Sequence, residues 1–164
     1  MTTQISGDTG VSQCQPNSVS QDDLQSGVVG KGPAFIAEYL ADITTAFARN
    51  KLNVLVASKN DGGAWSDATD KFQPTTAGYY QVSFQYSLSS ITITSIGAYI
   101  YLNGASRLQA VNGGHANAYG KVLVSGIIWM NGSTDFVEFY TESSGTGTPT
   151  ASNLIASAAL VRAA

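Results

Sequence analysis

The chain has 164 residues, enough for one domain and an appendage, with a net charge of −3 and 12% charged residues. That charged fraction is about half of the roughly 25% usual in soluble domains. The eight Lys and Arg residues are scattered singly, which argues against nucleic-acid binding, because that function requires a clustered basic face. No apolar run reaches the roughly 18 residues of a membrane span, so we expect no membrane insertion.

Residues 1–31 are predicted to form a short extended N-terminal arm. Residues 1–30 contain no aromatic side chain, and their few aliphatic residues are separated by Ser, Gln, Asp, Asn and Gly. Such a segment cannot fold alone, so it is either disordered or a stalk that winds with copies of itself. Cys14 is the only cysteine, which excludes an intrachain disulfide. The N-terminus lacks the basic and apolar regions of a signal peptide, and we therefore expect synthesis in a cytosol.

From Pro33 onward, aromatic and β-branched residues alternate with polar ones, as they do in β-strands. Asn103-Gly104 is the strongest short signal for a hairpin. A helix over residues 36–48 is an alternative that Thr44-Thr45 and the start at Pro33 disfavour. The predicted strands cover residues 35–39, 54–56, 80–86, 91–101, 121–130, 136–140 and 154–161. Many short strands separated by turns indicate an all-β sandwich, jelly roll or barrel.

The segment 60–82 is the most specific in the chain. It combines a Gly-rich turn, an aromatic anchor, a polar turn, a Phe-led strand and a Gly-x-Tyr corner. The characteristic positions are Asn60, Gly62, Trp65, Thr69, Lys71, Phe72, Gly78 and Tyr80. In these residues, and more broadly over residues 32–162, the chain resembles the complement C1q-like branch of the tumour-necrosis-factor (TNF) superfamily. The resemblance implies a C1q/TNF-like jelly-roll sandwich over residues 32–164 that assembles as a homotrimer.

In the trimers of that family, each jelly roll packs an aromatic-rich face against its neighbours. Tyr suits such contacts because its ring buries area while its hydroxyl finds a partner. The resemblance implies interface candidates, with the core of a single chain as the alternative, at Tyr80, Tyr99, Tyr101, Phe139 and Tyr140. Trp65 and Trp129 match structural positions of the family, and we expect both to anchor the core. Residues 121–130 are apolar on both faces, which indicates burial against the core and against a neighbouring subunit.

Residues 1–31 also resemble the leader segments of bacteriophage and prophage tail-fibre proteins. The similarity lies in the runs 6–11 and 20–35, and it is one of sequence style rather than of a strict motif. In those proteins, such a leader precedes a distal head of this same type. The resemblance implies a virion component, synthesised in the bacterial cytoplasm, whose residues 1–31 attach the head to other tail or fibre proteins.

No combination of residues indicates catalysis. His115 is the lone histidine, Gly-x-Ser-x-Gly does not occur, and there is no Cys/His cluster with metal-ligand spacing. Asp61, Asp67 and Asp70 are close in sequence and are expected to lie in a turn, where Asp commonly caps its own backbone. Some heads of this type hold ions near the trimer axis, and Asp and Asn oxygens suit calcium, but no Asp-x-Asp-x-Asn-Gly loop is present. We predict no catalytic residues and no metal ligands, with calcium as the alternative to a cofactor-free protein.

Residues 112–120 are the best candidate for a ligand-binding loop. They offer amides, an imidazole, a Tyr ring and glycines, which suit the polar sugars of a bacterial surface. The candidate ligand-binding residues are Asn112, His115, Asn117 and Tyr119. The alternative is a flexible solvated loop. Residues 143–150, rich in Gly and Thr, form a second exposed loop of similar promise.

These features predict a non-enzymatic receptor-binding head at the tip of a phage or prophage tail fibre. Its partner would be a host surface polysaccharide or lipopolysaccharide, and three weak sites on one trimer would gain by effective concentration. A purely structural capsid decoration or fibre-joining trimer is the first alternative. A polysaccharide depolymerase is the second.

Overall fold

The computed structural model describes residues 32–164, except for the side chains of residues 114–117. The predicted all-β architecture is confirmed, since every regular element in this part of the chain is a strand. A helix over residues 36–48 is excluded, because that segment holds two strands joined by irregular backbone. The predicted arm over residues 1–31, with Cys14, lies outside the described residues. The strands are β1 (Ala34–Tyr39), β2 (Ile43–Thr44), β3 (Arg49–Lys51), β4 (Val56–Asp61), β5 (Trp65–Ser66), β6 (Lys71–Phe72), β7 (Gly78–Leu102), β8 (Ala105–Met130), β9 (Val137–Thr146) and β10 (Thr150–Ala163).

The long strands β7 and β8 form a hairpin that belongs to two sheets. Residues 78–89 of β7 pair with β10, residues 92–102 pair with β9, and β8 runs antiparallel beside both halves. Register shifts between Ser89 and Ser95 separate the halves, as β-bulges do where a strand bends. The first sheet therefore has the order β4-β1-β10-β7-β8, with β2 also on β10. The second sheet joins β8, β7 and β9, and both β3 and the β5–β6 pair lie on β9.

The core lies between the two sheets and is rich in aromatic rings. Phe35 of β1 stacks on Trp65 of β5 with ring centroids 4.5 Å apart, and it lies 4.9 Å from Phe72 of β6. Phe84 and Phe139 complete the cluster. Trp65 is only 4% exposed, which confirms that it anchors the core. The alternation predicted for β7 is also confirmed, because the even-numbered residues from 80 to 86 are buried.

Hydrogen bonds from side chains to the backbone hold the turn that presents Trp65. Asn60 donates from Nδ2 to the Trp65 carbonyl at 2.9 Å and accepts from the Trp65 N–H at 3.0 Å. Asp67 accepts from Trp65 Nε1 at 2.7 Å and from a backbone N–H of β4 at 2.9 Å. Asp70 is buried and accepts from the Leu55 N–H at 2.9 Å. The prediction that these aspartates cap their own turn is wrong for Asp67 and Asp70, whose backbone donors Ala57 and Leu55 lie 10 and 15 residues earlier in the chain.

Two glycines with positive φ provide a matched test of the turns. Gly104 closes the predicted β7–β8 hairpin with φ 79° and has open space where a Cβ would stand. Gly132 has φ 69°, and a Cβ there would press against the backbone of Ala77. Gly104→Ala should therefore cost about 1 kcal/mol of stability from the left-handed backbone alone. Gly132→Ala should cost about 3 kcal/mol or more, because overpacking adds to that strain. Urea denaturation of both variants measures the difference, and equal losses would contradict this packing.

Burial gives Asp70 a pH-dependent effect on stability. Desolvation raises the pKa of the Asp70 carboxyl above its ordinary value of 3.8, although the hydrogen bond from Leu55 opposes the shift. The folded protein therefore holds this proton more tightly than the unfolded chain does. The resulting stabilisation is present below the unfolded pKa and is lost as the pH rises through the folded pKa.

Asp70→Asn keeps an oxygen for the Leu55 N–H and cannot ionise. We expect the free energy of unfolding of this variant to rise relative to that of the native protein between about pH 4 and pH 7, as measured by urea denaturation. Asp61→Asn, at an exposed position of β4, is the matched control. A difference between Asp70→Asn and the native protein that stays constant over this range would contradict the expectation.

Candidate functional site

Residues 112–120, predicted to be a ligand-binding loop, are part of strand β8. The loop prediction is wrong because the facing part of β7 continues past Ser89 and keeps pairing with β8 through its bulges. Residues 143–150 are likewise only partly a loop. Strand β9 continues to Thr146, and a short turn leads to Thr150 at the start of β10.

Two of the four predicted ligand-binding residues lie together at this end of the molecule. Asn112 and Tyr119 line a small hollow on neighbouring stretches of β8, and residues 93–96 of β7 form its other wall. Tyr119 is half exposed, as a ligand-binding ring would need to be. The side chains of His115 and Asn117 lie outside the described residues. A role for these four residues in binding stays a prediction.

Three of the five predicted trimer-interface residues are buried within one chain, and two of these, Tyr80 and Phe139, lie in the core. Tyr80 is 0% exposed, and its hydroxyl donates to the Thr76 carbonyl at 2.7 Å. Desolvation raises the pKa of Tyr80 to about 12. Phe139 is buried in the aromatic core. Because their own chain surrounds them, these two side chains cannot contact a neighbour, and the core alternative is correct for both.

The remaining interface candidates, Tyr99, Tyr101 and Tyr140, share the outer face of the second sheet with an ion pair. The rings of Tyr101 and Tyr140 stack with centroids 4.1 Å apart. The Arg49 guanidinium lies 4.0 Å from the ring centroid of Tyr99 and donates to the Tyr101 hydroxyl at 3.0 Å. It also donates twice to Glu142, at 2.6 and 3.1 Å. Hydrogen bonding with Tyr99, and then with Arg49, lowers the pKa of the Glu142 carboxyl. Tyr99 is only 5% exposed, with Arg49 over its ring, so its own chain covers it. A place for Tyr101 and Tyr140 at a subunit contact stays a prediction.

A second charged cluster on the same face centres on Glu138 of β9, whose side chain is only 8% exposed. Lys51 Nζ of β3 lies 2.7 Å from Glu138 Oε1 and also donates to the Thr69 carbonyl at 3.1 Å. Lys71 Nζ of β6 lies 3.5 Å from the same oxygen and 3.9 Å from the ring centroid of Phe136. Two ammonium groups thus share one carboxylate. We call this surface the cationic face and define it by Arg49, Lys51, Lys71, Tyr101 and Tyr140.

The outer face of the first sheet carries exposed apolar side chains. Leu123 and Ile127 are each 57% exposed, and Trp129 is 44% exposed. Trp129 meets Tyr79 of β7 edge to face, with ring centroids 5.1 Å apart. The prediction that Trp129 anchors the core is wrong, because the alternation of β8 turns Ile128 inward and Trp129 outward. We call this surface the apolar face and define it by Tyr79, Leu123, Ile127 and Trp129.

Strand β8 is also an edge strand throughout its 26 residues, since within residues 32–164 it pairs with β7 alone. The unpaired N–H and C=O groups of an edge strand can pair with another chain, and native proteins commonly cover or interrupt such edges. The apolar face lies directly beside this edge. The sequence of residues 121–130 indicated burial on both sides, and the structure places one side in the core and leaves the other exposed.

The described part of the chain contains neither a cluster of metal-ligating side chains nor a membrane-spanning helix. There, no group of three or more His, Cys, Asp or Glu side chains is arranged to hold a metal ion. Among the same residues, no helix has the length and apolar character needed to cross a membrane.

The fold is shared with several solved structures. The globular domain of the zebrafish complement 1qA protein matches with a TM-score of 0.59 and 12% identity, over 80% of this chain and 99% of that chain. Vertex protein P5 of phage PRD1 matches with a TM-score of 0.57 and 16% identity, over 80% and 99% of the two chains. Eiger, a TNF of S. frugiperda, matches with a TM-score of 0.55 and 11% identity, over 80% and 96%.

The chain has the C1q/TNF-like jelly-roll fold. The resemblance seen in residues 60–82 is therefore confirmed at the level of the fold. No protein-family model matches the sequence, and no curated protein matches it.

Proposed function

We propose that this chain is a non-enzymatic, homotrimeric head of a phage or prophage virion that binds a host cell-envelope glycan. The main support for the proposal is the apolar face beside the unpaired edge of β8. Exposed apolar side chains and unpaired backbone groups at one place are typical of a surface that another chain covers. The shared fold with the PRD1 vertex protein supports a place on a virion. The leader-like sequence of residues 1–31 supports the same place.

A contact between copies of the chain accounts for the apolar face. Leu123, Ile127 and Trp129 are about half exposed in a single chain, so covering each would contribute on the order of 1 kcal/mol. These residues lie on the edge strand of the first sheet, where a neighbour could cover side chains and backbone together. A contact between two different surfaces of identical subunits can close into a ring. The family resemblance favours three subunits.

The second sheet would stay available for a ligand in such an assembly. Its outer face lies on the opposite side of the sandwich from the apolar face, so subunit contact at one does not cover the other. Three copies of a weak glycan site would then act together, and their combined affinity can exceed that of one site by about 10²–10⁴-fold. Binding would be reversible, with no bond formed or broken.

We expect the native chain to have the solution mass of a trimer of 17.1 kDa subunits, as measured by light scattering. Replacing both Leu123 and Ile127 by Ser should shift the mass to that of one chain, because the contact loses its apolar area. Ile91→Ser is the matched control, since Ile91 is exposed but lies outside the apolar face. Circular dichroism would show that each variant is folded. A native monomer, or an equal effect of the control, would contradict the proposed trimer.

The binding function is tested by immobilising lipopolysaccharides and capsular polysaccharides from a panel of bacteria. We expect the native protein to bind at least one and to dissociate about 10²-fold more slowly than the monomeric variant. Binding to none, with the trimer intact, would favour the purely structural virion protein. Shortened polysaccharide products after incubation would indicate a depolymerase instead.

A further inference from the structure

The cationic face is an exception in a chain that is acidic and has few charges. The sequence has eight Lys and Arg residues and a net charge of −3. Nevertheless, Arg49, Lys51 and Lys71 meet on one sheet surface. Arg49 is matched by Glu142, whereas both lysines are directed at Glu138. One ammonium group would suffice to neutralise that carboxylate. Lys51 also interacts electrostatically with the buried Asp70 carboxyl. The ammonium group best placed to meet an external anion is therefore that of Lys71, which lies 3.5 Å from Glu138 at the edge of this cluster.

Aromatic rings lie directly beside this charge. Tyr140 is the strand partner of Lys51, and Tyr101 is the strand partner of Glu138, so the rings and the ammonium groups occupy adjacent positions. A Tyr ring offers area for the C–H surface of a sugar, and its hydroxyl can bond to the polar edge. It has only two side-chain torsions to order, so the entropic cost is low.

Internal contacts hold these groups in place before a ligand arrives. Arg49 is fixed by Tyr101 and Glu142, and Lys51 is fixed by Glu138 and the Thr69 carbonyl. Binding would therefore order few additional side chains, which preserves affinity. Hydrogen bonds from an ammonium group to a carboxylate or phosphate are among the stronger ones in proteins.

We propose that the cationic face binds an anionic sugar residue, bearing a carboxylate or a phosphate, of the host glycan. The rings of Tyr101 and Tyr140 would contact the sugar, and Lys71 and Lys51 would contact its charged group. This inference rests on the proposed function and names its ligand class and its site. It also gives Tyr101 and Tyr140 a different role from the subunit contact implied by the sequence.

The test uses the full native chain and three polymers. These are polygalacturonate for carboxylates, glycerol-phosphate teichoic acid for phosphates, and dextran as the neutral control. The dissociation constant is measured by isothermal titration for the native protein, Lys71→Gln and Tyr140→Leu. Lys71→Gln leaves Lys51 on Glu138, so the fold should persist, and thermal unfolding checks this. Lys59→Gln, the same charge change on β4, is the matched control. Tyr119→Leu probes the hollow lined by Asn112.

We expect tighter binding to one of the anionic polymers than to dextran. Lys71→Gln should raise the dissociation constant about tenfold, because it removes the free energy of one charge-assisted hydrogen bond. Tyr140→Leu should also raise it. Lys59→Gln should leave it unchanged. Preference for polygalacturonate or for teichoic acid would identify the charged group as carboxylate or phosphate, and either supports the inference.

Several results would overturn the inference. An equal loss in Lys59→Gln would show unspecific attraction of charge. Weaker binding in Tyr119→Leu alone would place the binding site at the hollow lined by Asn112 and Tyr119. A changed solution mass of Tyr140→Leu would make the cationic face a subunit contact. A trimer that binds a neutral envelope glycan but neither anionic polymer would refute the ligand class while leaving the proposed function intact.

Discussion

The register of the β7–β8 hairpin determines both the core and the two outer surfaces. Pairing runs from Leu102 and Ala105 beside the turn to Gly78 and Met130 at the far end. Because side chains alternate with period two, a shift by one residue would exchange every inner and outer position. The pairing that buries Tyr80 therefore also exposes Trp129. Since β7 and β8 enter both sheets, a single register error would disturb both layers of the sandwich.

The sandwich also separates the two surfaces that the proposed function requires. The apolar face lies outside the first sheet, and the cationic face lies outside the second. Their chemistry differs as well, because the first offers aliphatic and Trp side chains beside an unpaired edge, whereas the second offers charges already held by hydrogen bonds. Covering a surface of the first kind with another chain is favourable, because it removes apolar area from water. A surface of the second kind keeps its polar groups ordered and accessible, as a ligand site requires.

Alternation in the sequence predicted β1, most of β7, the second half of β8 and most of β10, but it missed β2, β3 and nearly all of β4. It also could not decide which face of β8 is buried. In residues 121–130 both sets of alternating side chains are largely apolar, so hydrophobicity does not separate Ile128 from Trp129. The two tryptophans show how far burial can be predicted from local sequence. Trp65 follows a turn that Asn60 fixes from nearby in sequence, and its burial could be anticipated from that local pattern. Trp129 is placed by its pairing with Tyr79, a contact distant in sequence.

The cationic face was not predictable because it depends on two very short strands. β3 has three residues and β6 has two, and strands of that length carry no readable alternation. Both pair with β9 on the edge opposite β7, so that edge alone brings Arg49 to Glu142 and Lys71 to Glu138. The loop prediction for residues 112–120 was wrong for the opposite reason. Their glycines suggested a loop, but pairing with the long strand β7 keeps them in a strand. In both cases pairing between distant segments overrode local composition, and it is this pairing that places charge and aromatic rings together.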